Sequence, residues 1–324
     1  MLYTRRELGK LALAALPASR VLLGRASELA AARPNSKFAG VQVGLNVPYN
    51  FGNNWMSGDD TLARCVELGV SAIELRSQPV ELFLGSPAAA PQPGGSGGGR
   101  AAPTPEQVAA RKAAAEALRK WRVSVPMDRV TTFRKKYEDA GVRIEIVKFD
   151  GIYAMADEEI DYGFTLARTL GAKAISCEMS VDDTKRLGQF ADKHKMMVGF
   201  HGHANTTDPD EVAKPESFTA VMAASKYHGA NMDIGHYTEA GYDPVAFIQQ
   251  HHARITNLHL KDKKKASNGG GNTPWGQGDT PIKDVLKLLQ KNQWDLPANI
   301  EFEYEGDPLV EVPKCVQYCK DALS

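Results

Sequence analysis

The chain has no surplus of charge of either sign: 39 lysines and arginines meet 39 aspartates and glutamates, for a net charge of zero and a pI near 7.1. That balance leaves no basic footprint for nucleic acid and no polybasic patch for an anionic membrane surface. Apolar runs of about 18 or more uncharged residues are missing, so no segment reads as a transmembrane helix. Cysteine is scarce, with Cys65, Cys177, Cys315 and Cys319 scattered too widely for a disulfide framework. Also missing is a G-x-G-x-x-G turn between an early strand and a helix. The glycines of Gly94 to Gly99 follow no strand closely, which argues against a dinucleotide fold. What is present is ordinary for a globular protein, 43% hydrophobic and 24% charged over 324 residues. Two average domains fit, as does one α/β barrel of about 250 residues with extensions. The expected partner is small and polar.

Two segments read as lying outside the packed fold. Thr4-Arg5-Arg6-Glu7-Leu8 runs into Leu11-Ala12-Leu13-Ala14-Ala15-Leu16 and then into small residues. Residues 1–35 therefore resemble a twin-arginine export signal, which implies an exported or periplasmic protein; without that reading the chain is cytoplasmic. From Ser86 to Pro105 the composition is almost wholly Pro, Gly, Ser and Ala. Such a stretch buries too little apolar surface to order itself and predicts a flexible surface loop.

Between these segments, short β-rich runs alternate with helical ones. They are Phe38 to Leu45, Ser71 to Leu75, Val142 to Val147, Ala172 to Cys177, Met196 to His201, Ala230 to Ile234, Ile255 to Leu260 and Ala298 to Glu303. Glycines at Gly69, Gly141, Gly171 and Gly229 suit the left-handed position that ends a helix before the next strand. Regular strand–helix alternation implies parallel pairing through right-handed crossovers. Eight repeats predict an α/β fold, a single-domain (β/α)8 TIM barrel over residues 38–324 with the Gly/Pro-rich insertion (86–105) after strand two.

In such a barrel the active site lies where strands end. The fifth strand ends in His201-Gly202-His203, the sixth in Asp233-Ile234-Gly235-His236 and the seventh in His259-Leu260-Lys261-Asp262, while the eighth carries Glu301 and Glu303. Four of the chain's eight histidines are in this set. Mixed His, Asp and Glu donors suit one divalent ion: Mn2+, Zn2+, Co2+ or Mg2+. His194, His228, His251 and His252 are expected at the surface, and Cys315 and Cys319 as buried thiols. Trp55, Phe149 and Trp275 are candidates for stacking on a ligand.

These motifs, with Gly276-Gln277-Gly278 before the last barrel helix, resemble the xylose-isomerase-like TIM barrels of the sugar phosphate isomerase/epimerase family. The resemblance implies a metal held by residues of strands five to eight, here His201, Asp233, His259 and Glu301, with Glu303 the alternative to Glu301. It places a glutamate where this chain has His201, and in family epimerases that glutamate pairs with the eighth-strand one as two opposed acid–base groups. It implies His236 and Lys261 as substrate contacts, with Asp262 added as the neighbour that orients Lys261; the candidate catalytic groups are Glu178, which restores a carboxylate at the end of strand four, with His203, Lys261 and Glu303. The expected activity is a metal-dependent sugar isomerase or epimerase working through an enediolate. Two alternatives stand beside it: β-elimination from a 3-keto-glycoside, and a sugar-binding barrel without turnover. The expected partner is a small carbohydrate, with neither nucleic acid nor membrane; oligomeric state is left open, a homo-oligomer included.

Overall fold

A computed structural model describes residues 33–87 and 104–324. Residues 1–32 of the expected export signal and 88–103 of the expected loop lie outside the described residues.

Eight parallel strands close into a barrel: β1 Val41–Val47, β2 Ala72–Arg76, β3 Arg143–Lys148, β4 Ala174–Cys177, β5 Met197–His201, β6 His228–Asp233, β7 Ile255–Leu260 and β8 Ala298–Ile300. Each pairs with its sequence neighbours, and β8 returns to β1 with Leu45 opposite Ile300. A two-residue lead-in, Lys37–Phe38, pairs antiparallel with β1. The strands are buried along almost their whole length, because helices cover one face and the barrel interior the other. Among the described residues, no helix is long and apolar enough to cross a membrane.

The local signals act as expected at Gly69, Gly141 and Gly171, which take positive φ of 69°, 85° and 82° where helices give way to strands. Gly229 departs from that reading. His228 and Gly229 already belong to β6, and a Cβ on Gly229 would lie 2.3 Å from the Arg254 carbonyl oxygen. Close strand packing, rather than turn geometry, requires glycine there. β8 also ends earlier than expected, at Ile300, so Glu301 and Glu303 stand just beyond the strand.

Valine, isoleucine, leucine and phenylalanine fill the space between strands and helices, whereas the barrel's upper interior is polar. From alternate strands β2, β4, β6 and β8 come Glu74, Ser176, Asn231 and Asn299, and Glu74 accepts hydrogen bonds from the other three. Two residues further along the same four segments stand Arg76, Glu178, Asp233 and Glu301. The odd strands contribute Asn46, Lys148, His201 and His259 between them. This is the interleaved layering that closure of an eight-stranded barrel imposes, since residues two apart on a strand share a face. It carries the donors predicted from sequence to one mouth.

Candidate metal centre

His201, Asp233, His259 and Glu301 converge: one donor atom from each lies within 4.8 Å of the others, and all four residues are buried. Asp233 caps the helix Ile234–Glu239, its Oδ1 accepting from the His236 N–H at 2.8 Å. Its Oδ2 has no hydrogen-bond partner, although the Lys261 ammonium stands 3.1 Å away. His201 Nδ1 is likewise buried without a partner. A ring nitrogen left without a partner in a desolvated cluster is costly unless something outside the chain satisfies it. With an acidic and imidazole donor set, a divalent cation fits.

His259 lies between two carboxylates, Glu74 Oε2 at 2.5 Å from Nε2 and Glu301 Oε2 at 3.1 Å from Nδ1. Burial opposes charge on this ring, but Glu301 and Glu74 outweigh it and push the pKa up to about 10. In His201 burial acts with the nearby Lys148 charge and holds the imidazole neutral, far below the ordinary histidine value. Neutral imidazole is the form that donates a lone pair to a metal. Asn46 donates to the other oxygen of Glu301 at 2.8 Å and fixes its plane.

Lys261 is the hub of the site. Its ammonium, wholly buried, is 2.8 Å from Glu303, 2.9 Å from Glu301 and 3.1 Å from His236 Nε2. Burial alone would lower its pKa, but the carboxylates of Asp233, Glu301 and Glu303 raise it well above the ordinary lysine value. Gly235 makes the approach possible, since a Cβ there would lie 2.7 Å from the Lys261 carbonyl oxygen. Glu303 also accepts from Tyr49 Oη at 2.5 Å. Of the two eighth-strand glutamates, Glu301 joins the four-donor cluster while Glu303 stands at its edge with Lys261 and Tyr49.

Next to the cluster His201, His203, Glu178, Asp208, Asp210 and Glu211 line an open cleft of about 310 Å³. His203 Nδ1 pairs with Glu211 at 2.8 Å, leaving Nε2 facing Glu178 at 3.9 Å. The His203 ring lies 5.1 Å from that of His236, so the His201, His203 and His236 imidazoles form a second candidate donor group beside the first.

Several expected roles move. Asp262 does not face the cleft: it accepts from the N–H groups of Gly276 (2.7 Å), Gly278 (3.0 Å) and Thr280 (3.3 Å) and so folds the loop after β7. It is a loop anchor, not a substrate contact. His228 is wholly buried in β6 and bonded to the Val221 carbonyl, because the strand starts earlier than the turn signal suggested. Phe149 is core, Trp275 packs edge-on against Tyr318, and Trp55 lines a different surface groove with Ser57, Asp60 and Arg64. All four cysteines are free and buried. Glu74, Asn46, Tyr49, Arg76 and Lys148 were not singled out from the sequence. For all but Tyr49, which follows β1 in a short turn, the available signal was a charged or amide side chain inside a strand buried on both faces.

Comparison with known proteins bears on this geometry. Residues 163–320, which carry all ten of the predicted site residues, match the profile described as xylose isomerase-like TIM barrel. The chain is 26% identical over 159 residues to an inosose dehydratase of Clostridium botulinum, covering 43% of this chain and 52% of that protein. The chain thus spans about half the length of that curated relative. Among solved structures, the probable 3-DHS dehydratase AsbF of Bacillus anthracis superposes with a TM-score of 0.58 at 15% identity, over 86% of this chain and 98% of its own. IolI, solved with a bound zinc atom, gives 0.54 at 14% identity, over 87% and 96%. At these identities the structural likenesses establish the fold.

Proposed function

The chain is a xylose isomerase-like TIM barrel, and on that premise we propose that it is a divalent-metal-dependent enzyme that removes a proton beside the carbonyl of a sugar-like substrate. The observation that carries this reading is the convergence of His201, Asp233, His259 and Glu301, with His201 Nδ1 buried without a partner and Asp233 Oδ2 engaged only by the Lys261 ammonium. A non-catalytic sugar-binding barrel has no need of such a cluster. These four residues would hold a divalent ion, which would supply Lewis acidity toward the substrate carbonyl.

The chain's own groups do the rest. Lys261, held cationic by its three carboxylates, is placed to take the negative charge that develops on a substrate oxygen. Glu303, ordered by Tyr49 and Lys261 at the edge of the cluster, accepts the α-proton. Across the Lys261–His236 pair, His203 is oriented by Glu211 with Nε2 free to donate a proton. In an elimination, the electron pair of the broken C–H bond becomes a carbon–carbon double bond. The β-carbon–oxygen bond then breaks, and the oxygen leaves as water with the proton from His203.

We favour this outcome, a dehydratase-type lyase on a keto-sugar or cyclitol ketone. The matched relative is an inosose dehydratase, and β5 presents His201 where two-base epimerisation calls for a glutamate. Isomerisation or epimerisation is the second reading, supported by Glu178, a further carboxylate in the cleft 3.9 Å from His203 Nε2. The loop after strand seven favours a substrate without phosphate in either case. In barrels the loop after strand seven commonly binds that group, and here its Gly276, Gly278 and Thr280 N–H groups are taken by Asp262.

The test is incubation of the metal-loaded protein with unphosphorylated keto-sugars and cyclitol ketones in D2O. Loss of one water by mass spectrometry is the expected result. Deuterium incorporation without loss of water supports the second reading, and neither change with any substrate overturns the proposal.

A further inference from the structure

Glu74 lies on β2, away from the four strands that supply the metal donors, and is wholly buried. A carboxylate without partners at that depth is strongly unfavourable. The surroundings answer with donors on every side. Ser176 and Asn231 (3.2 Å) reach Oε1, while Asn257 (2.8 Å), Asn299 (3.4 Å) and His259 Nε2 (2.5 Å) reach Oε2. Four of these five partners are neutral side chains with no other evident purpose inside a barrel, where valine and isoleucine would pack better. Asn257 also donates to Asn231 Oδ1 at 3.1 Å, which orients both amides, and Asn231 Nδ2 stands between Glu74 Oε1 (3.2 Å) and His259 Nε2 (3.3 Å). The polar layer holds Glu74 in place and aims it at one ring.

That ring belongs to a residue of the candidate metal centre, and its other nitrogen faces Glu301. A histidine that ligates a metal through one nitrogen must carry its proton on the other, and a carboxylate held against that second nitrogen fixes the tautomer and ring angle. Resting on the metal reading above, we propose that Glu74 is a positioning residue: it holds the His259 proton on Nε2 and so presents the Nδ1 lone pair to the cation. Glu74 touches neither substrate nor metal; it acts through His259. The surrounding asparagines and Ser176 in turn hold Glu74.

The experiment uses the full chain and Zn2+ as probe. Zn2+ affinity is measured by competition with a chromophoric chelator for wild type, Glu74→Gln and Glu74→Asp, and the His259 ring nitrogens of the wild type are followed by 15N NMR. In the wild type, addition of Zn2+ should shift Nδ1 as the coordinating nitrogen while Nε2 keeps its proton. Glu74→Gln should bind Zn2+ about 10- to 100-fold more weakly, the range found when an outer partner of a ligating histidine is lost. Glu74→Asp, which retains the charge, should recover part of that loss. Coordination through Nε2 in the wild type overturns the inference whether or not the variants fold. Unchanged Zn2+ affinity in folded Glu74→Gln also overturns it while leaving the metal centre intact. Wild-type protein that binds no Zn2+, Mn2+ or Co2+ refutes the metal centre itself, and this inference with it.

Discussion

Lys148 and Glu178 meet at 2.5 Å across the ends of β3 and β4, the ammonium buried and the carboxylate open to the cleft. Burial raises the Glu178 pKa, but Lys148, assisted by His203 and Arg76, overrides it and sets the value at about 2 instead of 4.5. A carboxylate whose pKa is depressed by folding stabilises the folded state above its ordinary value and loses that contribution as pH falls toward the depressed one. The wild type should therefore lose stability between pH 4.5 and about 2, and Glu178→Gln should flatten that part of the profile. At neutral pH the variant strands a buried ammonium and should be less stable by about 1–3 kcal/mol. Urea unfolding across the pH range measures both.

Asp233→Asn separates the two jobs of this residue. Asparagine caps a helix as well as aspartate, so the bond to the His236 N–H survives and the fold should hold. The negative charge offered by Oδ2 is lost. Metal content should fall below a tenth of an equivalent and turnover by about 100-fold or more, about 2.7 kcal/mol of barrier. Elemental analysis of the purified variant checks the first and steady-state kinetics the second.

Asp262→Ala should act on the loop instead of the chemistry. It removes the acceptor for three backbone N–H groups, which predicts a loss of about 2–4 kcal/mol by comparison with other charge-assisted bonds. Metal affinity should stay within a few-fold of wild type. A large loss of metal with unchanged thermal stability would return Asp262 to the site.

The sequence made the barrel and the mouth legible for a common reason. Strand–helix alternation sets the fold class, and a strand end is where a barrel puts its polar groups. His201, His203, Asp233, His236, His259, Lys261, Glu301 and Glu303 are all brought to that end. What stayed hidden depends on facing. Glu74 in Ala72-Ile73-Glu74-Leu75-Arg76 reads as the solvent side of an alternating strand, and only closure of the barrel turns it inward. Asp262 adjoins Lys261 in sequence, but both lie beyond the end of β7, where the chain turns the Asp262 carboxylate to the Gly276, Gly278 and Thr280 N–H groups. Phe149 and His228 followed from boundaries set a residue or two off, which is enough to exchange core for surface.

Bound metal should stabilise the folded chain by mass action, about 2.7 kcal/mol at 100 times the dissociation constant. Dialysis against a strong chelator should lower the melting temperature and abolish turnover. Re-addition of Zn2+ or Mn2+ should restore both, and Ca2+, which asks for more oxygen ligands, should not. A melting temperature indifferent to chelation would count against a resident ion.

Anomalous diffraction from crystals grown with Zn2+, recorded on both sides of the zinc absorption edge, tests the centre most directly. The account predicts one strong peak within coordination distance of His201, Asp233, His259 and Glu301, about 2.0–2.2 Å from each donor atom. A peak confined to His203 and His236, or an empty cluster with Asp233 Oδ2 and His201 Nδ1 bridged by protein or water alone, would contradict it.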